Sequence, residues 1–240
     1  MEAVSRLSHN SEQIKWNWHQ IGSLGYGWTF KDADSDKIAI FDMDRTIIRT
    51  KTFREHPIGI NDWMFWDPTV PSKLKQVKDK GYRVVIVTNQ KRLSQGHTTL
   101  NEIQSKIEDF SNQIGIEMSA FIATSDDEFR KPLPGIWNFI LDKHNTAKID
   151  KDQCFIVGDA SVRANVGYRR KHKHKSDADR IFAINCGLAY YTPEHFFLGK
   201  KVVLLDIPLS IVQLHKASTL FKGKAYEFDA SKRDSIFISC

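Results

Sequence analysis

The sequence predicts a three-layer α/β fold in which helices cover both faces of a parallel sheet. Two observations carry that expectation. Short apolar runs alternate with helical patterns from Lys37 onward, and the clusters of acidic and hydroxyl residues each follow the end of such a run. Strands buried on both faces read as continuously apolar, which is the mark of a parallel sheet between helices. Ligands in such sheets bind beyond the carboxyl ends of the strands.

The elements follow in order. Residues 1–35 hold Trp16, Trp18, Tyr26 and Trp28 around Gly22, Gly25 and Gly27, with weak periodicity. An aromatic leader packed on the domain is expected there, with few regular elements. Ile38 to Phe41 reads as the first buried strand. Pro71 to Lys80 is a helix with proline near its first turn. Tyr82 to Val87 is β-branched and apolar, a second strand ending at Thr88-Asn89-Gln90. Leu100 to Ile114 places Ile103, Ile107, Phe110 and Ile114 at helical spacing. Ala120 to Ala123 reads as a third strand, Pro134 to Lys143 as a helix, and Cys154 to Val157 as a fourth strand running into Gly158-Asp159. Arg180 to Ile184 is read as a fifth strand and Lys201 to Leu205 as a sixth.

Length and composition set the bounds. A chain of 240 residues suits one α/β domain. Its 41% hydrophobic and 27% charged residues are those of an ordinary globular protein. No run approaches the ~20 apolar residues of a membrane-spanning helix, so no membrane partner is expected. Met1 to Gln13 is polar, without the apolar stretch of a secretory signal. Cys154, Cys186 and Cys240 lie far apart, giving neither a disulfide framework nor zinc spacing. An intracellular protein is expected. The net charge of +6 matters by its placement. Arg163, Arg169, Arg170, Lys171, Lys173 and Lys175 share one short stretch, read either as a solvated loop or as a nuclear-localisation or polyanion-binding segment.

Asp42 and Asp44 stand two apart just after the first strand, so an extended backbone points both to one side. Two carboxylates so close repel, and a cation is their natural partner. Mg²⁺ takes oxygen ligands and binds through one or two carboxylates plus a substrate phosphate. Asp159, ending a later strand, adds a further hard ligand. Any one of these alone could be a helix cap.

Asp42-x-Asp44-x-Thr46, Thr88, Lys131 before a helix, and Gly158-Asp159 together resemble the haloacid dehalogenase-type phosphotransferases. The resemblance implies that Asp42 attacks phosphorus to form an aspartyl-phosphate and that Asp44 serves as acid and then base. It also implies that Thr88 and Lys131 stabilise the transferring phosphoryl group beside Mg²⁺, with Asp42, Asp44 and Asp159 around the metal. A closer resemblance runs from Asp36 to Phe197, to the 3′-phosphatase domain of polynucleotide kinase/phosphatases. Lys37 to Thr46, Asp62-Trp63, Thr88-Asn89-Gln90, Arg130-Lys131-Pro132, Gly135-x-Trp137, Phe155 to Ala160, Ala178-Asp179-Arg180 and Thr192-Pro193-Glu194 carry it. It implies DNA 3′-phosphate ends as substrate, a strand-break repair role with other repair proteins as partners, and nuclear residence. Thr46, Asn89, Arg130, Arg163, Arg169, Arg170 and Lys171 become expected substrate contacts, and Asp179 an expected support of the site.

Two departures stand out. Arg45 replaces the glycine of the usual Asp-x-Asp-Gly-Thr, and Gln95 falls where a DNA-contacting arginine is expected. The intervals from Thr46 to Thr88 and from Gln90 to Lys131 each have room for one helix-plus-strand unit and none for a large cap domain. The site is therefore expected to be open, with Trp63 and Trp66 either stacking on bases near its rim or buried in the core. Neither Gly199-Lys200 nor Gly223-Lys224 has the glycine and hydroxyl of a P-loop, so 5′-kinase activity is not expected. The expected divisions are the leader 1–35, a phosphatase domain 36–198 and a C-terminal extension 199–240. The competing readings are a sugar- or histidinol-phosphate phosphatase of the same superfamily and a non-catalytic DNA-end-binding module.

Overall fold

The structure, a computed structural model, describes residues 13–54, 57–164 and 176–204. Its centre is a seven-stranded sheet made of β1 (Trp16–Ile21), β2 (Leu24–Thr29), β3 (Ile38–Phe41), β4 (Arg83–Asn89), β5 (Ser119–Ala123), β6 (Phe155–Val157) and β7 (Ala189–Tyr191). Their spatial order is β1-β2-β5-β4-β3-β6-β7. The five strands from β5 to β7 run parallel, while β2 pairs antiparallel with β5 and β1 antiparallel with β2.

The helices are α1 (Val70–Asp79), α2 (Leu100–Ile114), α3 (Gly135–Phe139, continued by a π-helical turn over Ile140–His144), α4 (Ala178–Cys186) and α5 (Pro193–Leu198). One face of the sheet, with Ala39, Phe41, Val84 and Ile86, packs against α1, α2 and α5 through Leu74, Val77, Ile103, Ile107, Phe110 and Phe197. The other face, with Ile38, Ile40, Val85 and Val87, packs against α3 and α4 through Ile136, Trp137, Phe182 and Cys186. Side chains alternate across a strand, so four consecutive apolar residues in β3 serve both cores. The predicted three layers follow from that.

Helix α2 shows how locally the sequence dictates an element. Thr99 and Glu102 form a reciprocal capping box at its start, and Gly115 ends it in the left-handed conformation at φ 73. Its buried stripe of Ile103, Ile107, Phe110 and Ile114 contributes roughly 1.5–3 kcal/mol per side chain.

Three expectations need correction. The leader contains a regular hairpin, β1–β2, which extends the main sheet and whose turn uses Gly22 at φ 56. Trp16 and Trp18 stack at 4.7 Å and donate their indole N–H groups to Ser111 and Glu108 of α2. Arg180 to Ile184 is helical, part of α4: its buried residues are Asp179, Ile181, Phe182, Ala183 and Cys186, of which Asp179, Phe182, Ala183 and Cys186 stand at helical spacing, and Ile184 faces solvent. The strand that follows is Ala189–Tyr191. At the C-terminal side only Val203–Leu204 is extended; it pairs with Arg163–Ala164, outside the main sheet. Residues from Leu205 onward lie outside the described residues, so the expected extension is placed only at its start.

The chain steps from β3 to β4 and β5 on one side, then returns to place β6 and β7 on the other. That reversal opens a crevice beyond the ends of β3 and β6, where Asp42 and Asp159 lie.

Candidate active site

Asp42 follows β3 directly, and its backbone N–H donates to the carbonyl of Val157 in β6 at 2.9 Å. The next residues curl into a tight loop in which Met43 O accepts the N–H groups of Thr46, Ile47 and Ile48. Arg45 takes φ 62 at the loop's tip, the left-handed conformation in which glycine is at ease. The glycine-to-arginine departure thus sits at the one backbone position where it is strained. Asp44 and Arg45 are exposed and Asp42 is buried.

Lys131 reaches the crevice from the loop before α3. Its ammonium lies 2.7 Å from Asp42 Oδ1, 2.7 Å from Asp179 Oδ1 and 2.7 Å from the carbonyl of Val87. Asp179 is brought in by the first turn of α4, and its second oxygen accepts the N–H of Ala160 at 2.9 Å. Oxygen atoms of Asp42, Asp159 and Asp179 lie within 4.8 Å of one another. Two of these carboxylates, Asp42 and Asp179, share the ammonium of Lys131.

That donor set fits a divalent, oxygen-seeking cation such as Mg²⁺, because all three donors are hard carboxylate oxygens. The trio differs from the expected Asp42, Asp44 and Asp159. Asp179 lies in the trio in place of Asp44, whose carboxylate turns to the amide of Gln90 at 2.8 Å. Burial pushes the Asp42 carboxyl well above the usual range; Lys131 opposes this, while Asp179 and Asp159 add to it. Burial alone would lower the Lys131 ammonium, yet Asp179 and Asp42 outweigh it and hold the group above its ordinary value.

The remaining expected residues divide. Thr88 is buried at the end of β4, and its hydroxyl accepts from Gln90 Nε2 at 2.9 Å. Thr46 and Asn89, expected to meet substrate, face inward instead. The Thr46 hydroxyl is fully buried, 3.5 Å from Asp42 Oδ2. Asn89 brackets the backbone of Lys131, accepting its N–H at 3.0 Å and donating to its carbonyl at 2.9 Å. Thr46 thus lies against Asp42, and Asn89 holds the backbone of Lys131 in place.

Arg130 pairs through Nε with Asp126 at 2.9 Å, and Lys91 pairs with the same carboxylate. Gln95 is exposed in the loop after β4. Arg169, Arg170 and Lys171 lie outside the described residues, and of Arg163 only the backbone pairing is described. Trp63 is 5% exposed and Trp66 packs on Phe197, so both belong to the core rather than to a stacking rim.

Gln90 was not singled out from sequence, and Asp179 was expected only as a support of the site. A glutamine beside a strand-end threonine was the available signal for the first; for the second it was an acidic residue just before an apolar run read as a strand.

A family model described as polynucleotide kinase 3 phosphatase matches residues 37–197, more than half of the chain. The chain belongs to the polynucleotide kinase 3 phosphatase family. It is therefore an enzyme of the phosphatase class. An uncharacterized 20.8 kDa protein of Autographa californica nuclear polyhedrosis virus is 37% identical over 172 residues, covering 71% of this chain and 91% of that protein. A bifunctional polynucleotide phosphatase/kinase of Schizosaccharomyces pombe is 32% identical over 234 residues, covering 95% of this chain. This chain spans about half of that relative, 53% of its length. A crystal structure from Mesorhizobium loti, assigned to the HAD-like (haloacid dehalogenase-like) phosphatases, superposes with a TM-score of 0.54 at 17% identity, covering 70% of this chain and 77% of that one. The family fold is thus the HAD-like one. The β1–β2 hairpin lies outside the residues that the polynucleotide kinase 3 phosphatase model matches.

Proposed function

We propose that this chain is a Mg²⁺-dependent polynucleotide 3′-phosphatase that removes 3′-phosphate from DNA ends through an aspartyl-phosphate on Asp42. The observation that carries the chemistry is the ammonium of Lys131 standing 2.7 Å from both Asp42 and Asp179. The substrate class rests on the family match. The described intervals after Thr46 and Gln90 hold a two-stranded ribbon (Ile48–Arg49 with Met64–Phe65), a 3₁₀ turn, the core helices α1 and α2 and the sheet strands β4 and β5. A polymer end can reach a mouth of that form.

In this reading a carboxylate oxygen of Asp42 attacks phosphorus while the bond to the 3′ oxygen breaks. Asp44 gives its proton to that oxygen, and a 3′-hydroxyl leaves. Water then attacks the aspartyl-phosphate, Asp44 takes up its proton, and phosphate departs as the Asp42 carboxylate is restored. Lys131 holds Oδ1 of Asp42 at 2.7 Å, and Oδ2, whose contact with the Thr46 hydroxyl is longer at 3.5 Å, is the attacking oxygen in this reading. The Thr88 hydroxyl holds an equatorial phosphoryl oxygen, and the Lys131 ammonium, whose three hydrogens go to Asp42, Asp179 and Val87, acts on the phosphoryl group through its positive charge. Asp42, Asp159 and Asp179 would hold Mg²⁺, which when bound supplies positive charge against the phosphoryl group.

The basic run that begins at Arg163 follows Asp159 in the sequence and supplies the contacts to the DNA backbone, Arg169, Arg170 and Lys171 among them. A role in strand-break repair, in the nucleus and alongside other repair proteins, follows from that substrate. A tagged chain excluded from nuclei would overturn the placement.

The direct test is phosphate release from 3′-phosphorylated single-stranded and nicked DNA, with Mg²⁺ or with chelator, for wild type and Asp42→Asn. Release that needs Mg²⁺ and is lost in the variant is expected. Release from sugar phosphates alone would favour a small-molecule phosphatase. DNA binding without any release would leave a non-catalytic end-binding module.

A further inference from the structure

Gln90 ends the strand that carries Thr88, and its side chain is nearly buried. Its backbone N–H donates to the carbonyl of Ala123 at 2.8 Å, which fixes the residue to the neighbouring strand. From that root the amide Nε2 donates to Asp44 Oδ2 at 2.8 Å and to Thr88 Oγ1 at 2.9 Å. Asp44 Oδ2 and Thr88 Oγ1 both accept here, so the amide presents its nitrogen to them rather than its oxygen. Both amide hydrogens are then in use. Asp44 lies on an exposed loop tip beside the left-handed Arg45, and this is the side-chain bond that anchors its carboxylate among the described residues.

We infer that Gln90 is a positioning residue that ties the acid/base group Asp44 to the phosphoryl-binding hydroxyl of Thr88; the inference rests on the catalytic reading above. With Oδ2 taken by the amide, Oδ1 is the oxygen that carries the transferable proton. With Thr88 Oγ1 accepting from the amide, its own proton points elsewhere and can be given to a phosphoryl oxygen. One side chain thereby sets two proton directions and fixes the distance between them. When the phosphorus–oxygen bond breaks, the electron pair stays on the 3′ oxygen and the proton from Asp44 Oδ1 joins it.

The test compares leaving groups. A nucleoside 3′ oxygen leaves as a strongly basic alkoxide unless it is protonated, whereas p-nitrophenolate leaves readily without a proton. Gln90→Glu keeps the shape but places a carboxylate against Asp44, and Gln90→Leu removes the amide altogether. Turnover of a 3′-phosphorylated oligonucleotide should fall on the order of 100-fold in both. The loss on p-nitrophenyl phosphate should be smaller by about tenfold, because that leaving group needs no proton, whereas the base step of Asp44 and the Thr88 hydroxyl are affected with either substrate. Thermal melting of each variant establishes that it is folded.

A merely structural glutamine lowers both substrates by the same factor, and that result, or no loss on either, overturns the inference. Wild-type protein that releases nothing from the oligonucleotide overturns the catalytic reading and this inference with it. Wild-type release with unaltered leaving-group selectivity in both variants overturns the inference alone.

Discussion

Asp179 uses its two oxygens on two different parts of the chain, one accepting the Lys131 ammonium at 2.7 Å and the other the N–H of Ala160 at 2.9 Å. The first turn of α4 thereby links the loop that delivers the lysine to the turn that delivers Asp159. Few residues of the site do as much at once.

Asp179→Asn should therefore cost both metal affinity and rate. The amide keeps the shape, but it removes one charge from Lys131 and one ligand from the acidic trio. Groups that orient ligands typically cost 10–100-fold when replaced, so a loss of about that size is expected. Mg²⁺ titration of activity and of the melting midpoint would show it. Unchanged Mg²⁺ dependence would remove Asp179 from the metal set.

Gly158→Ala tests the same relationship from the other side. A Cβ there would fall 2.5 Å from Asp179 Cγ and Oδ2, nearer than real contacts allow. The Asp179 carboxylate must move, and overpacking of this kind costs about 1–3 kcal/mol. Activity should drop more steeply than stability, since the displaced group is part of the site. Paired kinetic and melting measurements decide it.

Arg45→Gly should stabilise the protein. A non-glycine residue at φ 62 carries a penalty of roughly 1 kcal/mol that glycine avoids. For a chain of this size that corresponds to a rise of about 2–4 °C in Tm. A fall in Tm would mean that contacts of the arginine side chain outweigh the backbone strain.

His144 should make stability sensitive to mild acid. Its ring packs among Tyr26, Trp28, Phe121 and Phe139. Burial holds its imidazole below the ordinary value, Arg83 and His19 push the same way, and Asp34 opposes them. The folded state thus binds fewer protons here than the unfolded chain. Its contribution is present above the unfolded value of about 6.5 and is lost as pH falls through the folded one. Melting midpoints should decline from about pH 7 to about pH 5, and less so in His144→Phe.

Cys154 and Cys186 should resist alkylation in the native protein. Burial pushes the Cys154 thiol up to about 11 and Cys186 well above its ordinary value. The reactive thiolate is therefore scarce at neutral pH. Mass-spectrometric mapping after iodoacetamide treatment should find both thiols modified only once the protein unfolds.

Much of this was legible in the sequence where local pattern and burial agree. The runs at Ile38–Phe41 and Arg83–Val87 are strands because both faces are covered, and Thr99, Glu102 and Gly115 announce α2 at both ends. Arg180 to Ile184 misleads because a short apolar run has no period of its own; the left-handed Gly187 and the helix it ends decide the matter. The hairpin carried a legible signal, the two-residue Gly22-Ser23 turn between aromatic alternations, hidden by the glycines around it. In the site, Asp42, Thr88 and Lys131 followed from motif positions. The inward turn of Thr46 and Asn89, and the bridging amide of Gln90, depend on which strand lies beside which. No local pattern encodes that.

The parallel order of the sheet has a further consequence, in time rather than in space. Lys131 and Asp42 touch although 89 positions separate them, and each neighbouring pair in the block from β5 to β7 is joined through at least one intervening helix. Every such pairing closes a long loop before any contact rewards it, which slows folding. Helices such as α2 can form early from their own caps, whereas the acidic crevice exists only after the last long-range pairing is made. During synthesis the chain therefore carries Asp42 for more than a hundred residues before the strand leading to Asp159 can join it.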